Sequence, residues 1–412
     1  MGAGSRKNIL VLSFTLVVVM LGFGLVIPIF PFFIEELGAG GKELGLLVAI
    51  SALLEFLFAP LWGSVSDRVG RKLVLMIGMV GYGLSSLLMG LATQLWMLFA
   101  SRALSGILSS ATLTTALAYV GDSTPEKERG GGMGTLGAAM ALGVILGPGL
   151  GGWLAGDSLS TPFFIAAGMS LVSLLLIFFL LPESLPAEAR RQGKGKVNVV
   201  NLRALWQALR PRSGQALFSP IGVLLLMVAL FSFALTNFEA VFGLYALEKF
   251  GYGPERVGTI LMVVAVVSTV GKAVLTGPAT KRWGEAAVIK ASALAGSVGF
   301  LVLLAANTYI TILLATGFFI LSKTLLRPAA FALISKRSAG SQGAAMGLSN
   351  SFMSLGRIAG PVWAGFVFDV NVNYPYLSGA AIMFVGFLVS LIWVSQPKIS
   401  TCAIKTGAFH FG

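Results

Sequence analysis

The fold is decided by a short polar turn that separates two long apolar segments. Residues 67–72 read DRVGRK, whereas residues 44–66 and 73–93 on either side of the turn contain a single charged side chain, Glu55. Each segment has about the 20 residues that a helix needs to cross a lipid bilayer. Because hydrocarbon offers the backbone no hydrogen-bond partner, such segments cross as helices. The stretch therefore predicts two membrane-spanning helices joined by a basic turn.

The composition of the whole chain extends this prediction. Of the 412 residues, 56% are apolar and 11% are charged, against roughly 25% charged residues in ordinary soluble domains. Such a chain lacks the polar surface to cover a water-facing globule. The composition excludes a soluble enzyme, a nucleic-acid-binding domain and a disordered chain, and it predicts an integral membrane protein.

The chain offers little material for metal or covalent chemistry. Its one cysteine, Cys402, and its one histidine, His410, both lie in the C-terminal tail. No P-loop pattern for ATP occurs. We therefore expect no disulfide, no metal site, no cofactor and no enzymatic activity, and we expect any transport to be driven by a proton gradient.

Twelve apolar segments are long enough to span a bilayer. In chain order, spans 1 to 12 are predicted at residues 8–34, 44–66, 73–93, 95–119, 131–154, 161–181, 217–247, 256–276, 286–306, 309–335, 343–368 and 374–396.

The basic residues predict the orientation. Arginine and lysine concentrate in the N-terminal segment and in every second loop, and the remaining loops contain only Lys42, Lys249 and Arg256. Cytoplasmic loops carry an excess of such residues, which also accounts for the net charge of +13. We therefore expect both termini in the cytoplasm and the spans in the plasma (inner) membrane.

The two halves of the chain resemble one another. Three landmarks recur 213 or 214 positions later: Gly63, Arg68 and Gly70 as Gly277, Arg282 and Gly284; Met133-Gly134 as Met346-Gly347; and Gly147-Pro148 as Gly360-Pro361. Six spans per half place both halves in the same orientation, so the repeat is parallel and leaves a cavity between two bundles. The predicted parts are an N-terminal six-helix bundle (1–181), a basic linker (182–215), a C-terminal six-helix bundle (216–396) and a tail (397–412).

The turn between spans 2 and 3 carries a family signature. Residues 63–72, GSVSDRVGRK, resemble the G-x-x-x-D-R-x-G-R-K motif of the major facilitator superfamily. The resemblance implies an all-α fold of twelve spans and a cytoplasmic latch between the halves, formed by Gly63, Asp67, Arg68, Gly70, Arg71 and Lys72. From chemistry alone, Asp67 can accept hydrogen bonds from a helix N-terminus or from arginine. We expect Arg71 and Lys72 to face the inner leaflet.

Span 5 carries a second signature. Residues 143–152, GVILGPGLGG, resemble the antiporter motif of the 12-span drug:proton antiporter branch, which includes tetracycline and multidrug efflux proteins. Gly143 and Gly147 are spaced for close helix contact, and Pro148 bends the helix. The resemblance implies export, through a motif formed by Gly143, Gly147, Pro148, Gly151 and Gly152.

Charged side chains inside spans mark the expected site, because an ionised group is excluded from lipid. Spans 3, 6 and 12 contain none, and the resemblance implies that spans 3, 6, 9 and 12 form an outer scaffold. We expect Glu55, Arg102 and Arg357 to surround one cavity. The candidates for the cavity wall are Pro28, Pro31, Asn237, Lys272, Lys323, Arg327 and, again, Arg357.

Glu55 is the leading candidate for proton exchange, and Glu239 is the second. The resemblance implies that Arg102 takes part in this coupling. A fixed Glu–Arg pair that holds helices together is the alternative interpretation. The in-span excess of cations favours an anionic or zwitterionic substrate over a cationic one.

The leading functional hypothesis is a secondary transporter that exports a small amphipathic, drug-like compound in exchange for protons by alternating access. The alternatives are a symporter or facilitator for an organic anion or sugar-like solute and, in another class, a non-transporting membrane sensor. The expected partners are a small molecule, protons and the lipid bilayer, without nucleic acid, and we expect a monomer.

Overall fold

The computed structural model describes residues 3–156, 158–186, 220–338 and 342–394, and all regular secondary structure in these ranges is helical. Most of the predicted linker 182–215 and the whole predicted tail 397–412 lie outside the described residues. The division into four parts therefore stays a prediction.

Each predicted span overlaps a helix. In chain order the helices run Ala3–Glu36, Gly41–Val69, Arg71–Gly90, Leu95–Leu104, Ser110–Ser123, Glu126–Leu154, Thr161–Leu180, Pro220–Phe250, Pro254–Ala305, Tyr309–Thr324, Leu326–Arg337, Gln342–Phe368 and Tyr374–Trp393. Span 4 consists of two of these helices joined by a π-helical turn, Ser105–Ser109. Span 10 consists of the two helices that meet at Leu325.

Ten helices in the described ranges are long and apolar enough to cross a membrane. One of them, Pro254–Ala305, has 52 residues and would extend about 78 Å if straight, more than twice the roughly 30 Å hydrocarbon core. Gly284, with φ of 77°, breaks it into spans 8 and 9. Span 11, Gln342–Phe368, is not among the ten, but its 27 residues are long enough to cross. The helices are therefore consistent with twelve spans.

Large apolar side chains cover the outer surface of the helices. Phe179 is 73% exposed and Ile392 is 78% exposed. Exposure on this scale is unfavourable in water but suits a surface that faces lipid. The protein is a multi-pass membrane protein.

Spans 2 and 11 cross at a pair of glycines, and this is one of the two most extensive contacts between spans 1–6 and spans 7–12. A Cβ atom on Gly45 would collide with the carbonyl oxygen of Pro361 and lie 3.2 Å from the Cα of Gly365. Only glycine allows backbones to approach this closely. The crossing therefore brings span 2 and span 11 into direct backbone contact.

Spans 5 and 8 make the same contact. A Cβ atom on Gly258 would collide with the carbonyl oxygen of Pro148 and lie 2.9 Å from the Cα of Gly152. Each of these three residues lies 213 positions from its counterpart in the crossing of spans 2 and 11. The internal repeat thus produces two equivalent glycine crossings, one on either side of the molecule.

A carboxylate reinforces the crossing of spans 2 and 11. Asp369 lies at the end of span 11. Its Oδ1 accepts a hydrogen bond from the backbone N–H of Gly41 (2.8 Å), and its Oδ2 accepts one from the backbone N–H of Lys42 (3.0 Å). A negative charge at a helix N-terminus is stabilising because it satisfies free N–H groups and opposes the helix dipole. Asp369 therefore ties the start of span 2 to the opposite half.

Both glycine crossings lie on the same face of the molecule. Span 2 begins there at Gly41, and span 5 ends there at Leu154. Towards the other face, which carries the N-terminus and the 67–72 turn, a Cβ atom on Gly134, Gly277 or Gly347 would meet nothing within 4 Å. In the described ranges, the halves are in backbone contact at the first face, whereas these three glycines meet no neighbour towards the second.

Replacing Gly258 by leucine should prevent the closed face from forming. The reporter is a cysteine at the cavity residue Leu235. It is introduced as Leu235→Cys in a protein whose one native cysteine has been removed by Cys402→Ser. A membrane-impermeant maleimide added at the closed face should label this cysteine about tenfold faster in Gly258→Leu, because packing a side chain against backbone costs about 1–3 kcal/mol. Gly277→Leu, on the same span in open space, should label at the parent rate. Equal labelling rates in both variants would contradict this account of the closure.

Candidate functional site

A cavity of about 640 Å³ lies between the two halves. Its wall contains Glu55, Arg102, Glu239, Lys272, Lys323, Arg327 and Arg357. Spans 2, 4, 7, 8, 10 and 11 supply these charged groups, and spans 3, 6 and 12 add uncharged side chains such as Tyr82, Phe163 and Met383. Side chains that cannot enter lipid thus converge on one space.

Glu55 and Arg357 form an ion pair that joins the halves. Nη2 of Arg357 on span 11 lies 3.5 Å from Oε2 of Glu55 on span 2, and the two side chains are 35% and 42% exposed. Exposed pairs of this kind contribute little stability because water screens them. The contact can therefore break and re-form at low cost.

Arg102 is buried in the N-terminal half of the cavity. Its Nη2 donates a hydrogen bond to Oγ of Ser51 (2.7 Å), and its guanidinium lies 5.1 Å from the centre of the Phe30 ring. The π-helical turn Ser105–Ser109 follows one turn later, and such turns frequently occur at functional sites. Nε of Arg102 has no hydrogen-bond partner in the described part of the chain.

A basic cluster forms the C-terminal side of the cavity. Nζ of Lys323 is enclosed by protein and lies 4.5 Å from the ring centre of Phe319 and 5.4 Å from that of Phe238. Glu239 interacts electrostatically with Lys323 and with Lys272. No carboxylate in the described ranges lies within ion-pair distance of Lys323, so its charge is balanced only at longer range.

Three candidates for the cavity wall were wrong. Pro28 and Pro31 are buried, and Pro31 packs against Gly243 of span 7. Asn237 is also fully buried, and its Nδ2 donates a hydrogen bond to the carbonyl oxygen of Pro375 (2.7 Å). All three lie between helices. The sequence identifies a span but not which of its faces meets the cavity, so this placement could not be predicted.

Arg71 organises the turn between spans 2 and 3. It pairs with Asp67 (2.5 Å) and Asp122 (2.9 Å), and its Nη1 donates a hydrogen bond to Oγ of Ser66 (2.5 Å). The expectation that Arg71 faces the inner leaflet is wrong, because its side chain is only 8% exposed. These partners all belong to the N-terminal half.

The start of span 3 is capped by Glu183, not by Asp67. Its carboxylate accepts hydrogen bonds from the backbone N–H groups of Arg71 (2.9 Å) and Lys72 (3.2 Å). Gly70 has φ of 110°, and a Cβ atom there would collide with this carboxylate. The glycine of the signature is therefore required both by the backbone conformation and by the cap.

The glycines of residues 143–152 lie on two faces of span 5. Cβ atoms on Gly143, Gly147 and Gly151 would each lie within 3 Å of the backbone of span 1. Gly152 and the carbonyl of Pro148 face span 8 instead, in the crossing already described. The motif therefore joins span 1 of its own half to span 8 of the other.

Several contacting residues were missed at the sequence level. Ser51, Asp122, Glu183 and Asp369 each bind a charged group or a helix end. Only Asp369 and Glu183 carried a usable signal, since a carboxylate directly after an apolar span can meet a neighbouring helix N-terminus.

Comparison with known proteins places the chain among transporters. The family model described as Major Facilitator Superfamily matches residues 12–322 and 224–407. The chain is 33% identical to Multidrug resistance protein 2 of Bacillus subtilis (strain 168) over 94% of this chain and 96% of that protein. It is 28% identical to the Quinolone resistance protein NorA of Staphylococcus aureus (strain COL), over 94% and 96% respectively.

Solved structures share the fold. A bacterial homologue of the human lysosomal transporter Spinster, in an inward-facing and unoccupied conformation, superposes with a TM-score of 0.73 at 14% identity, covering 95% of this chain and 96% of that one. At this identity the likeness concerns the fold alone.

Removing the cap on span 3 should destabilise the protein. In Glu183→Gln the amide keeps one acceptor but loses the charge, which should cost about 1 kcal/mol. We expect the melting temperature of the detergent-solubilised protein to fall by a few degrees. Glu36→Gln, which alters an exposed carboxylate at the end of span 1, should melt with the wild type. An unchanged melting temperature in Glu183→Gln would show that the cap contributes nothing.

Proposed function

Because the chain belongs to the Major Facilitator Superfamily, we propose that it exports small amphipathic organic compounds, drug-like molecules among them, in exchange for protons. The observation that carries the proposal is the cavity between the halves, which contains seven charged groups and is closed by two equivalent glycine crossings on one face only. The relatives' names, which refer to multidrug and quinolone resistance, support a drug-like substrate.

The symmetry of the closure supports alternating access. Rotation of one half against the other would open the glycine crossings and bring the N-terminal ends of spans 5 and 11 towards the opposite half. The 67–72 turn would then meet the C-terminal half, whereas it now contacts its own half through Arg71. With the termini in the cytoplasm, as the positive-inside rule predicts, the present conformation is open to the cytoplasm.

Glu55 is suited to couple this rotation to a proton. When ionised, it pairs with Arg357 of the other half and attracts Arg102. When protonated, it no longer holds Arg357, so gain or loss of a proton changes the contact between the two halves. Arg102 is held in place by its hydrogen bond to Ser51, and it is proposed to position Glu55. Glu239, which interacts with Lys323, Arg357 and Lys272, is the second proton acceptor. The protein is proposed to act as a monomer without metal or cofactor.

The proposal is tested with norfloxacin as the probe in sealed vesicles into which the purified protein is reconstituted. The protein is inverted, so that its predicted cytoplasmic face is outward. An imposed pH gradient, acidic inside, should drive norfloxacin accumulation by the wild type. Glu55→Gln should lose about tenfold or more of the gradient-driven rate while keeping downhill norfloxacin flux, because the amide cannot exchange a proton.

Glu43→Gln is the matched control for Glu55→Gln. Glu43 lies on the same span, but its carboxylate accepts a hydrogen bond from the N–H of Gly40 (3.0 Å) outside the cavity. It should therefore transport like the wild type. A fully coupled Glu55→Gln would eliminate Glu55 as the coupling group, and Glu239→Gln then decides whether coupling uses this cavity at all. Flux by the wild type without any response to the gradient would identify a facilitator instead.

A further inference from the structure

The charge of the cavity is unbalanced. Five basic side chains and two acidic ones line its wall. Glu55 is paired with Arg357, and Glu239 can neutralise one further cation. Three positive charges remain in excess, and an enclosed charge without a partner is costly.

The excess is concentrated on the C-terminal side. Lys323 and Arg327 are one helical turn apart on span 10, and Lys272 faces them from span 8. The members of this group interact electrostatically. Lys323 is repelled by Lys272, and Lys272 is repelled by Arg327. Three mutually repelling cations therefore share one part of the wall.

Lys323 shows that this group is not satisfied by the protein itself. Its ammonium is enclosed, yet it has no hydrogen-bond partner among the described residues, although it can donate three hydrogen bonds. The rings of Phe319 and Phe238 flank it, and Thr324 and Ser268, whose hydroxyl groups are hydrogen-bonded to each other, also line the cavity. An enclosed cation without a partner next to aromatic surface fits a ligand that has an acidic group on an apolar body.

We propose that Lys272, Lys323 and Arg327 form an anion site that anchors the acidic group of the transported compound, a carboxylate on an aromatic body. This inference rests on the proposed function, since it names the substrate class of the same cavity. It sets this protein apart from exporters of purely cationic compounds, which the excess of positive charge would repel.

Three probes with one aromatic body and different charges test the site: biphenyl-4-carboxylate, biphenyl-4-carboxamide and biphenyl-4-methylammonium. Binding of each to the purified full-length protein is measured by calorimetry. We expect the carboxylate to bind the wild type about tenfold more tightly than the amide, as for a charge-assisted hydrogen bond, and the ammonium compound to bind most weakly.

The variants assign the preference to the cluster. Lys323→Met and Lys272→Met should each reduce the preference for the carboxylate over the amide, while binding of the neutral amide shows that the cavity is intact. Lys323→Arg should keep the preference. Lys281→Met, which removes an exposed charge from the same helix as Lys272 but outside the cavity, should match the wild type.

Equal binding of carboxylate and amide by the wild type, or tightest binding of the ammonium compound, would overturn the anion site. If Lys281→Met lost the preference for the carboxylate to the same extent as Lys323→Met and Lys272→Met, the assignment of the anion site to this cluster would be overturned. Neither result touches the proposed export, which is measured separately as gradient-driven norfloxacin flux. Conversely, a carboxylate preference without gradient-driven flux would refute proton-coupled export and leave the anion site standing.

Discussion

The structure depends on close backbone contact between halves at two equivalent glycine crossings. In lipid the hydrophobic effect does not drive helices together, so tight packing of small residues must do so. Gly45 against Gly365 and Gly258 against Gly152 supply that packing on one face, and Asp369 adds two hydrogen bonds to a helix N-terminus. Because these contacts involve few side chains, they can separate without unfolding either half, which is what a transporter that opens alternately to two faces needs.

The second constraint is that ionised side chains cannot face hydrocarbon. It forces seven charged residues from six different spans into the single space between the halves. The same space is lined by aromatic and hydroxyl groups, so it offers both apolar surface and charge to a ligand. The glycine crossings close the cavity at one face, and the charged groups line its wall.

The sequence was sufficient for much of this architecture. Hydropathy predicted twelve spans, each of which overlaps a helix in the described ranges, and the chain's signatures indicated the family, because both depend on local composition and spacing. The convergence of Glu55, Arg102 and Arg357 also followed from lipid exclusion. What could not be predicted was which face of a helix meets which neighbour. Pro28, Pro31 and Asn237 are therefore packed between helices, Arg71 is buried against two aspartates, and the caps at Glu183 and Asp369 emerge only when distant helix ends come together.

The most direct test of rotation about the crossings is double electron–electron resonance on two pairs of spin labels along spans 5 and 8. One pair, at Ser158 and Arg256, reports the face that is closed here, and the other, at Thr135 and Lys281, reports the open face. Rotation about the crossings predicts two populations in which one distance shortens as the other lengthens, with their ratio changing with pH. Distances that stay fixed, or that lengthen together, would contradict alternating access in this protein.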